Sequence, residues 1–470
     1  MSAEPVLTRR CVIMKVLDFT TDKYLEAQRQ NAAAILILLP KNISSIPHDT
    51  VQSFMVSESK ALLKETLMPV YVAPEDEQLL YMYDEVKQAA ATRTSSIFVR
   101  GERSKRILHF TGVLPGAGED IPTIVITAHY DSYGLAPWLA YGADSNGSGV
   151  TILLELARLF QKLFSSPSTI PPYNLMFSLT GGGKYNFLGT KRWIEENLDH
   201  TSLLHDNVEF VLCLDTLANS DELYVHVSRP PKPETPMHSF MQQLEEVVSS
   251  RFPHVKVGLV HKKINLVEST VAWEHERYSL RKIPSFTLSH LEDPKSELRG
   301  SMLDTMSQVD FRKMKRNGII VAEALARYMY NLSGKGSPKD VQVFKGQLVS
   351  SCLMSFLTSV PRATQLLDKE PSHILLVNSL EHEFKRYLQQ VHRHAFRQDR
   401  RDPDITFFDQ MNPPVVMYRV KPAAFDLFLG GCIAAYLGIV YYTIQVHLYI
   451  LLYCPFILIV VISTQSSKQQ

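Results

Sequence analysis

The stretch "TIVITAHYDS", residues 123–132, decides the fold class of this chain. Its first six residues carry no ionisable group, which reads as a strand buried in a sheet. The run then ends on two polar groups, His129 and Asp131. Downstream, residues 148–163, "SGVTILLELARLFQKL", place apolar positions at helical spacing, and residues 173–180, "YNLMFSLT", read as a strand. Residues 189–198 read as a helix, 208–216, "VEFVLCLDT", as a strand, 238–252 as a helix and 284–289 as a strand. A long helix follows from about Asp310 to Tyr330. Such alternation argues for an α/β sandwich around a mostly parallel sheet, placed at residues 95–334.

Upstream, residues 11–19, 22–34, 35–39, 68–72 and 75–90 read as strand, helix, strand, strand and helix. They make a small N-terminal α/β unit at 1–94, for which a packing or partner surface is the expected role. After "SGKGSP", residues 333–338, a junction by its Gly, Ser and Pro content, residues 335–424 read as a helical membrane-proximal segment. Within it, residues 379–402 read as a basic amphipathic helix serving as a solvated stalk.

Residues 425–462 carry only Asp426 and His447 as ionisable groups. Roughly 20 apolar residues suffice to cross a bilayer, so a transmembrane region is expected here. One span covers about Phe425 to Thr443, and the rest is either a second span after a turn at Tyr441–His447 or a segment lying along the membrane. Arg393, Arg397, Arg400, Arg401, Arg419 and Lys421 precede the run and Lys468 follows it, which alone would hold the large domain in the cytosol. Large domains translocate regardless of such charges, and the Asn-x-Ser sequons at Asn42, Asn146 and Asn331 point to the lumen. The opening "MSAEPVLTRR" lacks the apolar core of a signal peptide and leads at once into a strand, so a lumenal domain implies that the true N-terminus is missing.

With 49 basic and 48 acidic residues, the chain has no excess of the kind that tracks nucleic acid. Its five cysteines are scattered without CxxC spacing, so no zinc ribbon or disulfide framework can be read from them.

Polar groups at the carboxyl ends of neighbouring strands converge in an open α/β sheet. Here they are His129 and Asp131, Asp144 in "GADSNGSG", Lys184 in "LTGGGKYNFLGT" (residues 179–190), Asp215 in "LCLDT" and His290 in "TLSHLED". Imidazole and carboxylates so placed are what a zinc site uses. The glycine run is not a phosphate loop, because it lacks the GxxxxGK[ST] arrangement.

Taken in order with "LDTMSQVD", these motifs resemble those of the zinc-dependent aminopeptidase-like family, which also includes the transferrin-receptor and nicastrin ectodomains. The resemblance runs from about Ile121 to Tyr330. It implies that His129 stands at the family's first zinc ligand and Asp131 at the aspartate that orients the site. It puts Ser145 where the metal-bridging aspartate belongs, Gly183 at the general base and Lys184 at a glutamate ligand. Asp215 matches a ligand aspartate and Gly300 falls on the last ligand, a histidine, while Asp144 is one residue out of register. With those groups replaced, the expectation is a catalytically inactive pseudo-peptidase that needs no cofactor. The Lys184 ammonium is expected at the former metal position, paired with Asp215, with Asp131 a second candidate. A glycan on Asn146 would stand at the mouth of the former cleft, Asn331 is a second expected site, and Asn42 is less favoured. The alternative is a zinc aminopeptidase with an altered single-metal site of His129, Asp215 and His290, for which no general base is found.

The membrane-anchored, nicastrin-like branch of the family implies a structural or regulatory subunit of an endoplasmic reticulum membrane complex. Its implied partners are the nodal modulator protein, a small multi-spanning membrane protein and the Sec translocon. The implied work is insertion of multi-pass proteins, with a part in Nodal signalling.

Overall fold

The apolar runs become strands of two main sheets. The computed structural model describes residues 7–466, except 9, 43–45, 59–66, 90–93, 100–102, 105, 135, 199–206, 269, 333–342, 345–350, 365–370, 398–406, 409–414 and 421–422. The chain divides into two units, Met1–Pro74 with Gly101–Pro413, and Glu75–Arg100 with Pro414–Gln470.

The first unit begins with β1 (Cys11–Lys15), α1 (Thr21–Arg29), β2 (Ala34–Leu39), α2 (His48–Ser57) and β3 (Val70–Pro74). The three strands lie in that order and pair in parallel. The Thr20 side chain accepts a hydrogen bond from the Lys23 N–H and so caps the start of α1. Tyr24, Ile35, Ile37 and Phe54 form a core beside this three-stranded sheet, which Ala136 and Met302 share from loops further along the chain. Next come α3 (Glu77–Ala89) and β4 (Thr94–Val99), which belong to the second unit. The helix at 77–89, read from sequence as part of the N-terminal unit, therefore groups with the C-terminal helix instead.

The first unit resumes with β5 (Arg103–Ser104), β6 (Arg106–Leu114), β7 (Thr123–His129), α4 (Gly149–Phe164), β8 (Asn174–Thr180), α5 (Leu188–Leu198), β9 (Val208–Leu214), β10 (Glu222–Val227) and α6 (Pro236–Arg251). It continues through β11 (Lys256–His261), α7 (His275–Leu280), β12 (Ser285–Ser289), α8 (Phe311–Met329), α9 (Ser351–Leu357), α10 (Pro371–Tyr387), β13 (Gln389–Arg397) and β14 (Phe407–Phe408). Eight strands make the large sheet in the order β11-β10-β12-β9-β7-β8-β6-β13. Its centre, β12, β9, β7 and β8, is parallel, while β6 and β13 join antiparallel on one side. Every residue of β7 is buried, as a central strand covered on both faces requires. Register carries His129 opposite Thr180 and Thr127 opposite Cys213, so the ends of β7, β8 and β9 open at one place.

The reading of residues 379–402 as one helix is corrected. The helix ends at Tyr387, and Gln389–Arg397 pair with β6 as the edge of the sheet. Two residues apart, the rings of His394 and Phe396 stack, and both meet the ring of His109 edge-on, a period-two pattern that the polar composition hides.

In the second unit β15 (Val415–Val420) pairs antiparallel with β4, and α11 (Ala423–Ser466) follows. The helix runs unbroken through Tyr441–His447, so the turn expected there is absent and the second apolar part continues the first. Ala424–Tyr453 is long and apolar enough to cross a membrane, and none of that stretch is buried in protein.

Candidate functional site

Four parallel strands deliver the predicted residues to one end of the sheet. His129 closes β7, Asp131 follows it, Asp215 follows β9, His290 follows β12, and Lys184 lies in the corner between β8 and α5. The structure brings His129, Asp131, Lys184 and Asp215 together with Ser145, and sets His290 apart on another partner.

The corner is built around Asp131. Its carboxylate accepts the N–H groups of Gly182 and Gly183 at 2.8 and 2.9 Å and the hydroxyl of Thr364. Gly183 is required by close approach: a Cβ there would lie 2.3 Å from Cγ of His129. The imidazole ring thus fills the space that any side chain at 183 would need. Gly189 is required likewise, since a Cβ would meet the Gly181 carbonyl oxygen at 2.2 Å.

His129 is fully buried. Burial, reinforced by Lys184, Arg299 and Arg362 and opposed by Asp215, holds its pKa well below the usual imidazole value, so the ring is neutral. Its Nδ1 lies 3.4 Å from the amide nitrogen of Asn146. That amide is oriented by its other contacts: the oxygen accepts the N–H of Gly149 and of Thr216, and the nitrogen donates to the Leu214 carbonyl. Nδ1 is therefore the acceptor and Nε2 carries the hydrogen, buried and without a partner among the described residues. These contacts also correct the expectation of a glycan at Asn146, whose fully buried side chain has its amide nitrogen committed to Leu214. Asn331 and Asn42 are exposed.

The expected pairing of Lys184 with Asp215 is corrected as well. Asp215 binds Arg299, with Nη2 to Oδ2 at 2.7 Å. Arg299 directly precedes Gly300; it lies over the Trp273 ring at 4.2 Å and donates to the Ala272 carbonyl at 2.8 Å. Burial alone would raise the Asp215 pKa, but Arg299, Lys184 and His129 outweigh it and keep the carboxyl well below its usual range. The Lys184 ammonium instead donates to the hydroxyl of Ser145. Burial, then Arg299, pull its pKa down to about 8 against the pull of Asp215, Asp304 and Asp131.

Asp304 clamps the turn that bears Ser145, accepting the N–H groups of Asp144 and Ser145, both at 2.8 Å. Burial and the nearby Asp144 push its pKa up to about 6. Asp144 faces His290 Nε2 at 2.7 Å and also accepts from Ser148, Ala218 and Asn219. Arg362, fully buried, donates to the carbonyls of Tyr130 (2.7 Å), Tyr141 (3.1 Å) and Gly142. Behind the corner, Glu274 accepts the hydroxyls of Thr127, Thr180 and Thr190, and burial pushes its pKa up to about 7.

Sequence reasoning missed Arg299, Asp304, Arg362, Thr364 and Glu274. Asp304 stands inside the quoted "LDTMSQVD" and Arg299 beside Gly300, so both had a positional signal. Arg362 and Thr364 had none, because they lie beyond the junction in the stretch read as membrane-proximal.

The zinc that the resemblance implies does not fit this donor set. His129, Asp215 and His290, the residues of the single-metal alternative, turn to Asn146, Arg299 and Asp144 respectively. The Lys184 ammonium bonds Ser145 and the Arg299 guanidinium bonds Asp215, so two positions that the resemblance assigns to metal binding already carry a cation. Among the described residues no three His, Cys, Asp or Glu side chains are grouped to hold a metal ion.

Comparison with known proteins follows this geometry. Residues 111–325 match the pattern of peptidase family M28. The chain is 49% identical to the Danio rerio BOS complex subunit ncln over 94% of this chain and 84% of that one. It is 47% identical to the Homo sapiens BOS complex subunit NCLN, over 95% and 84%, and 27% identical to Caenorhabditis elegans nicalin, over 92% and 83%. Among solved structures, the gamma-secretase component nicastrin aligns over 87% of this chain and 95% of that one, with 11% identity and a TM-score of 0.49.

Proposed function

The chain belongs to the nicalin family, the BOS complex NCLN subunits that share the peptidase M28 fold, and from that premise we propose that it is a membrane-anchored pseudo-peptidase serving as a structural or regulatory subunit. One observation carries the reading: the His129 ring stands within 2.3 Å of where a side chain at 183 would begin. No carboxylate can occupy the general-base position while that ring is in place, and without a base the attacking water keeps its proton. The Arg299–Asp215 pair and the Lys184–Ser145 contact support the same reading, because each engages a position the family reserves for metal binding. His129, Asp131, Ser145, Gly183, Lys184, Asp215 and Gly300 are, on this view, vestiges of the site.

The proposal extends to the endoplasmic reticulum membrane with the large domain lumenal, and to a complex containing the nodal modulator protein and a small multi-spanning protein beside the Sec translocon. It includes a role in multi-pass protein insertion and in Nodal signalling. The apolar α11 and the exposed sequon at Asn331 are in keeping with it.

The test is metal analysis of the full-length chain purified in detergent, with melting followed before and after chelation. The expected result is less than stoichiometric zinc and an unchanged melting temperature. Stoichiometric zinc that disappears in His129→Ala, accompanied by aminopeptidase turnover, would overturn the proposal.

A further inference from the structure

Three cations meet at this corner, and two of them, Lys184 and Arg362, make no hydrogen bond to a carboxylate among the described residues. Arg299 is engaged by Asp215 and by the carbonyls of Ala272 and Pro294. Arg362 is spent on the carbonyls of Tyr130, Tyr141 and Gly142. Lys184 has three N–H donors, and its one hydrogen bond among the described residues goes to Ser145. Of the neighbouring carboxylates, Asp131 is committed to two backbone N–H groups and Thr364, Asp304 to two more, and Asp144 to His290 and three further donors, while Oδ1 of Asp215 is buried and has no partner among the described residues.

Two other donors at the same place are buried and have no partner among the described residues. They are Nε2 of His129, on a residue with 0% exposure, and Nε of Arg299, whose side chain is 10% exposed. Lys184 and Arg299 both retain partial exposure, while Nε2 of His129 and Nε of Arg299 are sealed from solvent, so a ligand would meet Lys184 first. Beside them Gly300 adopts φ +95°, and a Cβ there would meet Tyr133 alone, at 3.9 Å. Lys184, Arg299 and Arg362 face the carboxylates of Asp131, Asp144, Asp215 and Asp304, so the corner holds no surplus of positive charge. The unused N–H donors of Lys184, His129 and Arg299 therefore suit a monovalent carboxylate better than a phosphate dianion, which those aspartates would repel more strongly.

We propose that this corner is a carboxylate-binding site for peptide, with Lys184 as the principal donor flanked by His129 and Arg299. The carboxylate is either a C-terminus or an Asp or Glu side chain, and the charge-assisted hydrogen bonds are of the stronger kind. This deepens the non-catalytic reading: a corner that on that reading once polarised water now holds a chain by its negative group.

The experiment titrates the full-length chain in detergent with N-acetyl-trialanine bearing a free C-terminus, its C-terminal amide, and an amidated peptide with a central Glu. Heat of binding is followed, with inorganic phosphate as a further ligand. The proposal expects saturable binding of the free acid or of the Glu peptide, and none of the plain amide. Preference for one of the two identifies the source of the carboxylate. Lys184→Met should weaken binding about thirtyfold or more, as removal of one partner of a buried charge pair does, and Lys184→Arg should restore most of it. Failure of both carboxylate peptides, tighter binding of phosphate, or equal affinity in Lys184→Met would each overturn the proposal. If Lys184→Met does not fold, the comparison of free acid with amide on the wild-type chain decides alone. Zinc content and peptide hydrolysis measured on the same samples keep the two readings separate. Turnover would overturn the pseudo-peptidase reading, whereas absent binding without zinc would overturn only the carboxylate site.

Discussion

Adding one methyl group at position 183 tests the steric argument directly. In Gly183→Ala the new carbon would lie 2.3 Å from Cγ of His129 and 2.4 Å from its Cβ and Cδ2. Carbon atoms normally rest about 3.5–4.0 Å apart, so the ring must retreat by more than about 1 Å. It has little room to do so: the ring is fully buried, packs edge-on against Phe187 at 5.7 Å, and faces Asn146 through Nδ1. Overpacking of this kind costs about 1–3 kcal/mol. At about 2–4 °C per kcal/mol for a domain of a few hundred residues, melting of the full chain should fall by about 2–12 °C. Intrinsic fluorescence on heating provides the assay, and a double-mutant cycle with His129→Gly, which removes Cβ as well as the ring, provides the control. Once the whole side chain is gone the methyl has space, so the two substitutions should be non-additive by about the clash energy. A Gly183→Ala chain that melts with wild type, or a cycle in which the two effects simply add, would refute the claim that the ring occupies this space.

Three other outcomes are expected. Arg299→Met leaves the ionised Asp215 buried without its ion-pair partner, which should cost about 3–5 kcal/mol; adding Asp215→Asn should recover most of it, and a neutral single mutant in urea melts would remove the ion pair from the account. Glu274, held up to about 7, binds a proton in the native state through a window in which the unfolded chain has already released it. Stability should therefore fall as pH rises from about 4.5 to 7, by about 3 kcal/mol, and Glu274→Gln should flatten that slope in denaturant midpoints measured across the window. Finally, Asn331→Gln should abolish a glycosidase-sensitive shift on gels, whereas Asn146→Gln should leave the shift in place and lower the melting temperature; the reverse pattern would refute the burial of Asn146.

The sheet centre was legible because β7, β8, β9 and β12 are predominantly apolar and end on polar groups, a pattern that local sequence states outright. The location of His129, Asp131, Lys184 and Asp215 at one sheet end follows from the same pattern and holds in the structure. Their pairing was not legible. Asp215 goes to Arg299 because a long side chain reaches in from a loop and is steadied by Trp273, and nothing in the spacing of the motifs encodes that reach. β13 escaped notice because an edge strand needs few apolar residues, and His394 and Phe396 are enough to seat it against His109. Asn146 was read as a surface sequon because "NGS" carries no mark of burial; only the neighbouring strand ends, through Leu214 and His129, reveal it as a core amide.

Arg362 and Thr364 give the chain a sense of its own completion. Thr364 reaches Asp131 across 233 residues of sequence and Arg362 reaches Tyr130 across 232. Ribosomes add about 5–20 residues per second, so roughly 10–50 s separate the emergence of the strand end from that of the groups that fasten it. During that interval three backbone carbonyls and a carboxylate wait without their final donors. A chain that stopped before residue 362 would keep those acceptors open, so the corner closes only after residue 364 has been made.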